Sequence, residues 1–343
     1  MNRQALYFTG PLQVEVREDA LPVPGPGELL VKNLVSAISS GTEMLLFRGQ
    51  VPEDLALDET IPSLQGASRY PFKYGYACVG EIAAQGAQVQ QDWCGRHVFC
   101  FHPHESHFCT SPSEVIPLPS GMPPERAVFL PNMETALNFV QDARALVGEF
   151  VGVFGLGIVG LLTSAVLQAF PLSGLAGFDL YPLRRAAAAQ LGLKWAIDPG
   201  DPQAWRALEA AFRAQGMPDG LDLALELSGS PAALNQAIER TGFGGRIVIG
   251  SWYGLKTVSL NLGGKFHRSR ICLISSQVSS IAPELSGRWD KPRRFGLVWE
   301  HLNRIAPERW ISQRCPIQAA AQTYQQIDQD PASVLQVIFT YGS

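Results

Sequence analysis

FVGVFGLGIVGLLTSAVLQAF, residues 150 to 170, is the stretch that decides the fold. It has the length of a membrane span, but Gly155, Gly157 and Gly160 interrupt it at the spacing of a nucleotide-binding turn. The reading is a buried strand, EFVGVF, a tight turn, and a helix. The first glycine permits the turn, the second lets the backbone approach a pyrophosphate, and the third lets helix and strand pack closely, with phosphates at the helix N-terminus. Asp179 closes the next strand-like run, GLAGFD, 24 residues after Gly155. A carboxylate there accepts from both hydroxyls of an adenosine ribose. Gly155, Leu156, Gly157, Ile158, Val159, Gly160 and Asp179 are therefore the expected cofactor-binding residues. The acid repels a 2'-phosphate and favours NAD over NADP. Arg184 keeps NADP open, because a guanidinium just beyond the acid either packs on adenosine or greets a phosphate.

Outward from this turn the rhythm continues. EFVGVF, GLAGFD, LKWAID, LDLALEL, GRIVIG and ICLISS read as strands, most of them separated by helical stretches such as PLRRAAAAQLG and PAALNQAIERTG. That alternation predicts a doubly wound parallel sheet, an α/β Rossmann domain over residues 141–278. Residues 1–140 instead alternate short apolar runs with glycine and proline, as in PVPGPGELLVKNLVSAIS, which suits a β-rich, barrel-like domain. Residues 279–343 hold a basic helical segment, GRWDKPRRFGLVWEHLNRI, and a final strand, VLQVIFTY. The stretch from Val51 to Lys73 is long for a loop, and such loops are often lids.

Two domains also follow from the 343 residues, since a single core rarely grows that large. Hydrophobic residues at 46% and charged residues at 17% describe a globular chain. A net charge of -4 gives no general polyanion-binding signal, so nucleic acid is not an expected partner. MNRQALYFTGPLQVEV lacks a signal-peptide core and starts as a strand, and no membrane span is expected. The six cysteines include no CxxC pair, which points to reduced thiols and a cytoplasmic setting.

With PVPGPGELLVKNLVSAISSGTE, GRHV, the GLGIVG turn with Asp179, and LDLALELSGSPAALNQAIERTGFGGRIVIG in this order, the chain resembles the medium-chain dehydrogenase/reductase superfamily over almost its full length. The resemblance implies a GroES-like catalytic domain built by both chain ends, a Rossmann domain between them, and a homodimer or tetramer, of which the dimer is expected here. It adds Ser228 and Gly250 to the cofactor-binding set, and Thr135 in PNMETALN as a threonine beside the nicotinamide. SSGTEMLLFRGQVP and YGYACVG are most similar to the bacteriochlorophyllide a dehydrogenases, a likeness local to the catalytic domain.

Zinc members of the superfamily use a Cys in a C-G-T-D-like segment and a His in G-H-E. Here Ser40-Gly41-Thr42-Glu43 and Gly75-Tyr76-Ala77 stand in those positions, and the structural zinc lobe's closely spaced cysteines are absent. The expectation is a member without metal. CFHPHESHFC resists it: extended, residues 100 to 109 would put Cys100, His102 and His104 on one face, all acceptable ligands. The other reading of that segment is a histidine-rich wall of the active site.

Hydride transfer between nicotinamide and a carbinol carbon also requires a proton handler. Without zinc, histidine, with an ordinary pKa of about 6.5, suits neutral pH better than tyrosine at about 10. His102 and His104 are thus the leading candidates, with Ser40, Thr42 and Tyr76 orienting the substrate oxygen or relaying the proton. Glu134 is a further acid/base or a helix N-terminal acid. Arg288, Lys291, Arg293 and Arg294 are either a solvated helix start or a lip for an anionic small-molecule substrate. The function expected is zinc-independent, NAD(H)-preferring alcohol/carbonyl oxidoreduction. Reduction of an activated C=C bond, and an inactive nucleotide-binding sensor, are the alternatives.

Overall fold

The computed structural model describes residues 2–216 and 219–342, and every statement of number or absence below concerns those residues. The chain divides into two compact units, one of residues 1–131 and 302–343, the other of 132–301. The divisions expected at 140/141 and 278/279 thus fall elsewhere. The strand Cys272–Ser275 completes the second unit's sheet, and most of the helix Lys291–Ile305 stays with that unit instead of starting the return.

The first unit is β-rich. Asn2–Gly10 lies between Gln13–Ala20 and Phe72–Lys73 in an antiparallel sheet, with Leu6 opposite Val16 and Phe8 opposite Phe72. A second sheet runs Ile311–Pro316, Gln336–Thr340, Leu29–Ala37, Cys78–Gln85, His97–Cys100 and Val115–Pro117, with His107–Thr110 also pairing on Leu29–Ala37. The late strand Gln336–Thr340 joins the early one through Phe339 opposite Ser36, so both chain ends build this unit. Leu6, Phe8, Phe47, Tyr324 and Phe339 form one core, in which Phe8 stacks on Phe72 and meets Tyr324 edge-on. From the Val51–Lys73 stretch, Leu64 is buried in this core and Leu57, Ile61 and Tyr70 pack against it, so these side chains are held down instead of hanging free as in a mobile lid.

The second unit is a six-stranded, all-parallel sheet in the order Trp195–Ile197, Gly174–Phe178, Phe150–Phe154, Leu221–Glu226, Thr241–Ile249, Cys272–Ser275. The chain enters at the third position, winds outward one way, then returns and winds the other way. Phe150–Phe154 and Leu221–Glu226 therefore flank the topological switch, where doubly wound sheets bind ligands at the strands' carboxyl ends. Phe154, Phe178 and Trp205 stack in the core, and Phe150–Phe154 is buried along its whole length, as a central parallel strand requires. No helix is long and apolar enough to cross a membrane.

Candidate active site

In the second unit the glycine turn forms as the spacing requires. Gly155 has φ of 101°, and a Cβ there would lie 2.7 Å from the Ser228 nitrogen. A Cβ on Gly160 would lie 1.9 Å from the Gly155 carbonyl oxygen, so only hydrogen fits where helix meets strand. Gly157 caps the helix Ile158–Leu167 in extended conformation. Leu156 and Ile158 are buried, whereas Val159 is partly exposed. The Asp179 carboxylate accepts from the backbone N–H of Leu156 at 2.8 Å and of Tyr181 at 2.9 Å, tying the turn to the next strand end. Arg184 stands 3.6 Å from Asp179 and lies over the Tyr181 ring. The acid that would read a ribose is thus already paired with a cation. These residues fit a dinucleotide: a backbone cradle at a helix N-terminus, with a carboxylate at the end of the neighbouring strand.

Ser228 is exposed, and its hydroxyl donates to Glu226 Oε1 at 2.6 Å. Glu226, which sequence reasoning does not single out, is fully buried and also accepts from the Ser228 and Gly229 backbones and from the Tyr253 hydroxyl. One carboxylate therefore shapes the loop beyond the switch-point strand. Its only sequence signal is an acid closing the apolar run LDLALEL. Gly250 donates its N–H to the Glu226 carbonyl, and a Cβ on it would lie 2.4 Å from the Phe139 ring.

Thr135 is half-buried on the helix Leu130–Ala143. Glu134 beside it is buried and paired with Lys291 at 2.6 Å and Arg294 at 3.5 Å. That corrects two expectations. Glu134 balances charge as an ion-pair partner and is not an open acid/base, and the basic segment is no continuous lip. Arg294 is fully buried and Lys291 is engaged by Glu134 and the Val278 carbonyl, while Arg293, lying over Trp289, and Arg288 are exposed.

In the first unit, Ser40 is exposed and Thr42 and Tyr76 are half-buried. The Tyr76 hydroxyl donates to Ser39 Oγ at 2.6 Å. Burial pushes its pKa up to about 12, an effect Ser39 and Thr42 oppose and the charge of Glu43 reinforces. Behind this pair lies a buried chain of polar groups. Glu43 Oε1 accepts from the Ser39 backbone N–H at 2.7 Å, and Oε2 accepts from the Tyr324 hydroxyl and stands 3.0 Å from His104 Nε2. His104 Nδ1 lies 2.7 Å from Ser36 Oγ, itself 2.7 Å from the Tyr341 hydroxyl. The His104 backbone is pinned to Leu6 and Tyr74, and its ring fits only because residue 75 is glycine: a Cβ there would lie 2.8 Å from the imidazole.

The two histidines expected to handle protons are therefore not placed for it. His104 is fully buried with both ring nitrogens engaged. His102 stacks on Phe108 at 3.7 Å, donates through Nδ1 to the Pro103 carbonyl, and is lowered by burial to a pKa of about 3. Nor do Cys100, His102 and His104 gather: among the described residues no group of three or more His, Cys, Asp or Glu side chains could hold a metal. Serine and tyrosine hydroxyls are not usual zinc ligands either, so the residues present do not fit that ion.

Residues 159–290 match the family model of zinc-binding dehydrogenases. The L-threonine 3-dehydrogenase of Mesorhizobium japonicum is 28% identical over 267 residues, covering 67% of this chain and 72% of that protein. Among solved structures, an alcohol dehydrogenase from Escherichia coli CFT073 complexed with NADH superposes with a TM-score of 0.77 at 18% identity, covering 99% of both chains. A zinc-binding dehydrogenase from Sinorhizobium meliloti 1021 bound to NADP superposes with 0.74 at 18% identity, again covering 99% of both. Fold, glycine turn and matched segment agree: the chain is similar to the zinc-type, medium-chain dehydrogenases, and that likeness supports an oxidoreductase enzyme.

Proposed function

We propose that this oxidoreductase works without zinc, prefers NAD(H), and transfers hydride between nicotinamide and an alcohol/carbonyl substrate, with the Tyr76–Ser39 hydroxyl pair handling the proton. The 2.6 Å bond from Tyr76 to Ser39 carries this reading. Tyr76 stands where the resemblance puts a zinc ligand, is partly exposed, and is held by a neighbour that can pass a proton on. A phenol with pKa raised to about 12 is protonated at neutral pH, so at rest it holds a proton to give and cannot take one up. That favours carbonyl reduction: the hydroxyl pair donates to the carbonyl oxygen as the carbon receives hydride. Bound nicotinamide supplies that hydride. The residues that would hold the dinucleotide are Gly155 to Gly160, with Asp179 on the ribose and Thr135, Ser228 and Gly250 towards the nicotinamide.

NAD(H) preference rests on Asp179, and its pairing with Arg184 makes that preference modest instead of absolute. A cytoplasmic setting belongs to the same reading, since all six cysteines are free, and a homodimer is what the resemblance implies. The test is a screen of chelator-treated protein for nicotinamide absorbance change with alcohols, aldehydes, enones and tetrapyrroles. Turnover of aldehydes or ketones with NADH supports the proposal. Turnover of enones alone moves the assignment to C=C reduction, and cofactor binding without turnover moves it to a sensor.

A further inference from the structure

Glu43 is buried behind the proposed proton-handling pair, and its two oxygens face different ways. Oε1 receives the Ser39 backbone N–H at 2.7 Å, and Ser39 Oγ is the acceptor of the Tyr76 hydroxyl. Oε2 receives the Tyr324 hydroxyl and faces His104 Nε2. With Nε2–H donating to the carboxylate, His104 Nδ1 accepts from Ser36 and Ser36 accepts from Tyr341, so each donor in the chain points towards Glu43. The elements involved come from the helix Thr42–Phe47, the strand Leu29–Ala37, the segment around His104, and the late helix Ala320–Gln329. Acid, imidazole and hydroxyls are thus assembled from four distant parts of the chain, with Glu43 and His104 wholly buried. Simple core packing asks for none of these groups, and an unpaired buried carboxylate would be costly.

We infer that Glu43 is a positioning residue: through the Ser39 backbone it fixes the Ser39–Tyr76 hydroxyl pair, and His104 and Tyr324 hold Glu43 in place to do so. This rests on the reading of Tyr76 as proton handler. The charged and titratable groups facing Tyr76 are Glu43, Asp58 and Tyr74, and the Glu43 charge is the largest of these influences that keep its proton on. Neutralising Glu43 removes that charge and so eases ionisation of Tyr76.

The test uses the full chain with ¹³Cζ-labelled tyrosine, Tyr76 being assigned from the signal lost in Tyr76→Phe. In the parent the onset of Tyr76 ionisation is read from this signal at the alkaline end of the range in which the protein remains folded. Glu43→Gln is expected to move the onset of its ionisation down by about one pH unit, the size of effect a nearby charge exerts. Glu43→Asp, which keeps the charge, is expected to restore most of it. An unmoved Tyr76 titration in a folded Glu43→Gln protein overturns the inference, as does an equal shift in Glu43→Asp. Should Glu43→Gln prove unfolded, His104→Gln is measured instead: releasing Glu43 must alter the Tyr76 signal, and an unaltered one overturns the inference. Full turnover in Tyr76→Phe, together with a shifted titration in Glu43→Gln, would remove the catalytic reading and leave the coupling of Glu43 to Tyr76 standing.

Discussion

His104 Nε2 and the Glu43 carboxylate face each other 3.0 Å apart, with neither side chain exposed to solvent. An imidazole so enclosed, with its other nitrogen on Ser36, has no free position for a substrate oxygen. In the function proposed, proton handling therefore falls to the half-buried phenol of Tyr76 and not to the histidines that sequence chemistry favours.

Asp179 gives the first prediction. Because its carboxylate also holds the Leu156 and Tyr181 backbones, Asp179→Ser should loosen the turn as well as lose the ribose contact. NADH affinity, read by fluorescence titration, should fall roughly tenfold, the equivalent of about 1.4 kcal/mol. NADPH should lose less, so the preference relaxes. Equal affinities for the two cofactors in the parent protein would count against the assignment.

The third glycine of the turn makes a sharper structural demand. A methyl on Gly160 would lie 1.9 Å from the Gly155 oxygen, which is rigid backbone. Gly160→Ala should cost about 1–3 kcal/mol in urea unfolding, the usual range for forcing atoms into a packed site, and should weaken cofactor binding. A variant as stable as the parent that binds NADH equally well would show that helix and strand are not so close.

Acid should destabilise the protein through His102. Burial holds its folded-state pKa at about 3, below the ordinary value of about 6.5 that the unfolded chain has. The unfolded state thus binds a proton that the folded state refuses. The resulting stability is complete above the unfolded pKa and is lost as pH falls from about 6.5 towards about 3. His102→Phe, which keeps a flat ring against Phe108, should flatten the fall in urea midpoint across that window. An identical slope in both proteins would mean that His102 is protonated when folded.

Glu134 should matter for stability and not for proton transfer. Glu134→Gln leaves the buried Arg294 without its anionic partner, a loss on the order of 3 kcal/mol for a broken buried pair. Turnover per folded molecule should change little. A large fall in kcat with unchanged unfolding would return Glu134 to the catalytic group.

The Rossmann unit was legible because its rules are local. A turn that needs three glycines, strands buried on both faces and an acid at the next strand end all leave their pattern in consecutive residues. The proton-handling region left no such pattern. Ser36, Glu43, His104, Tyr324 and Tyr341 lie up to hundreds of positions apart and meet only because Gln336–Thr340 pairs with Leu29–Ala37. Residue type marked His102 and His104 as reactive, but burial, which no spacing reveals, holds His102 neutral and encloses His104. The basic run around Lys291 reads as a solvated helix start or an anion lip for the same reason: Lys291 and Arg294 look free until Glu134, well over a hundred residues earlier, is seen beside them.

The most direct measurement is the turnover of chelator-treated Tyr76→Phe, with NADH and the carbonyl compound the parent reduces fastest. Removing only the hydroxyl should lower kcat by roughly 10²- to 10⁴-fold, the range for a lost general acid, with NADH affinity unchanged because Asp179 and the glycine turn hold the dinucleotide. Turnover equal to the parent's, or parent activity that chelation abolishes and zinc restores, would contradict a proton transfer carried by Tyr76 and Ser39.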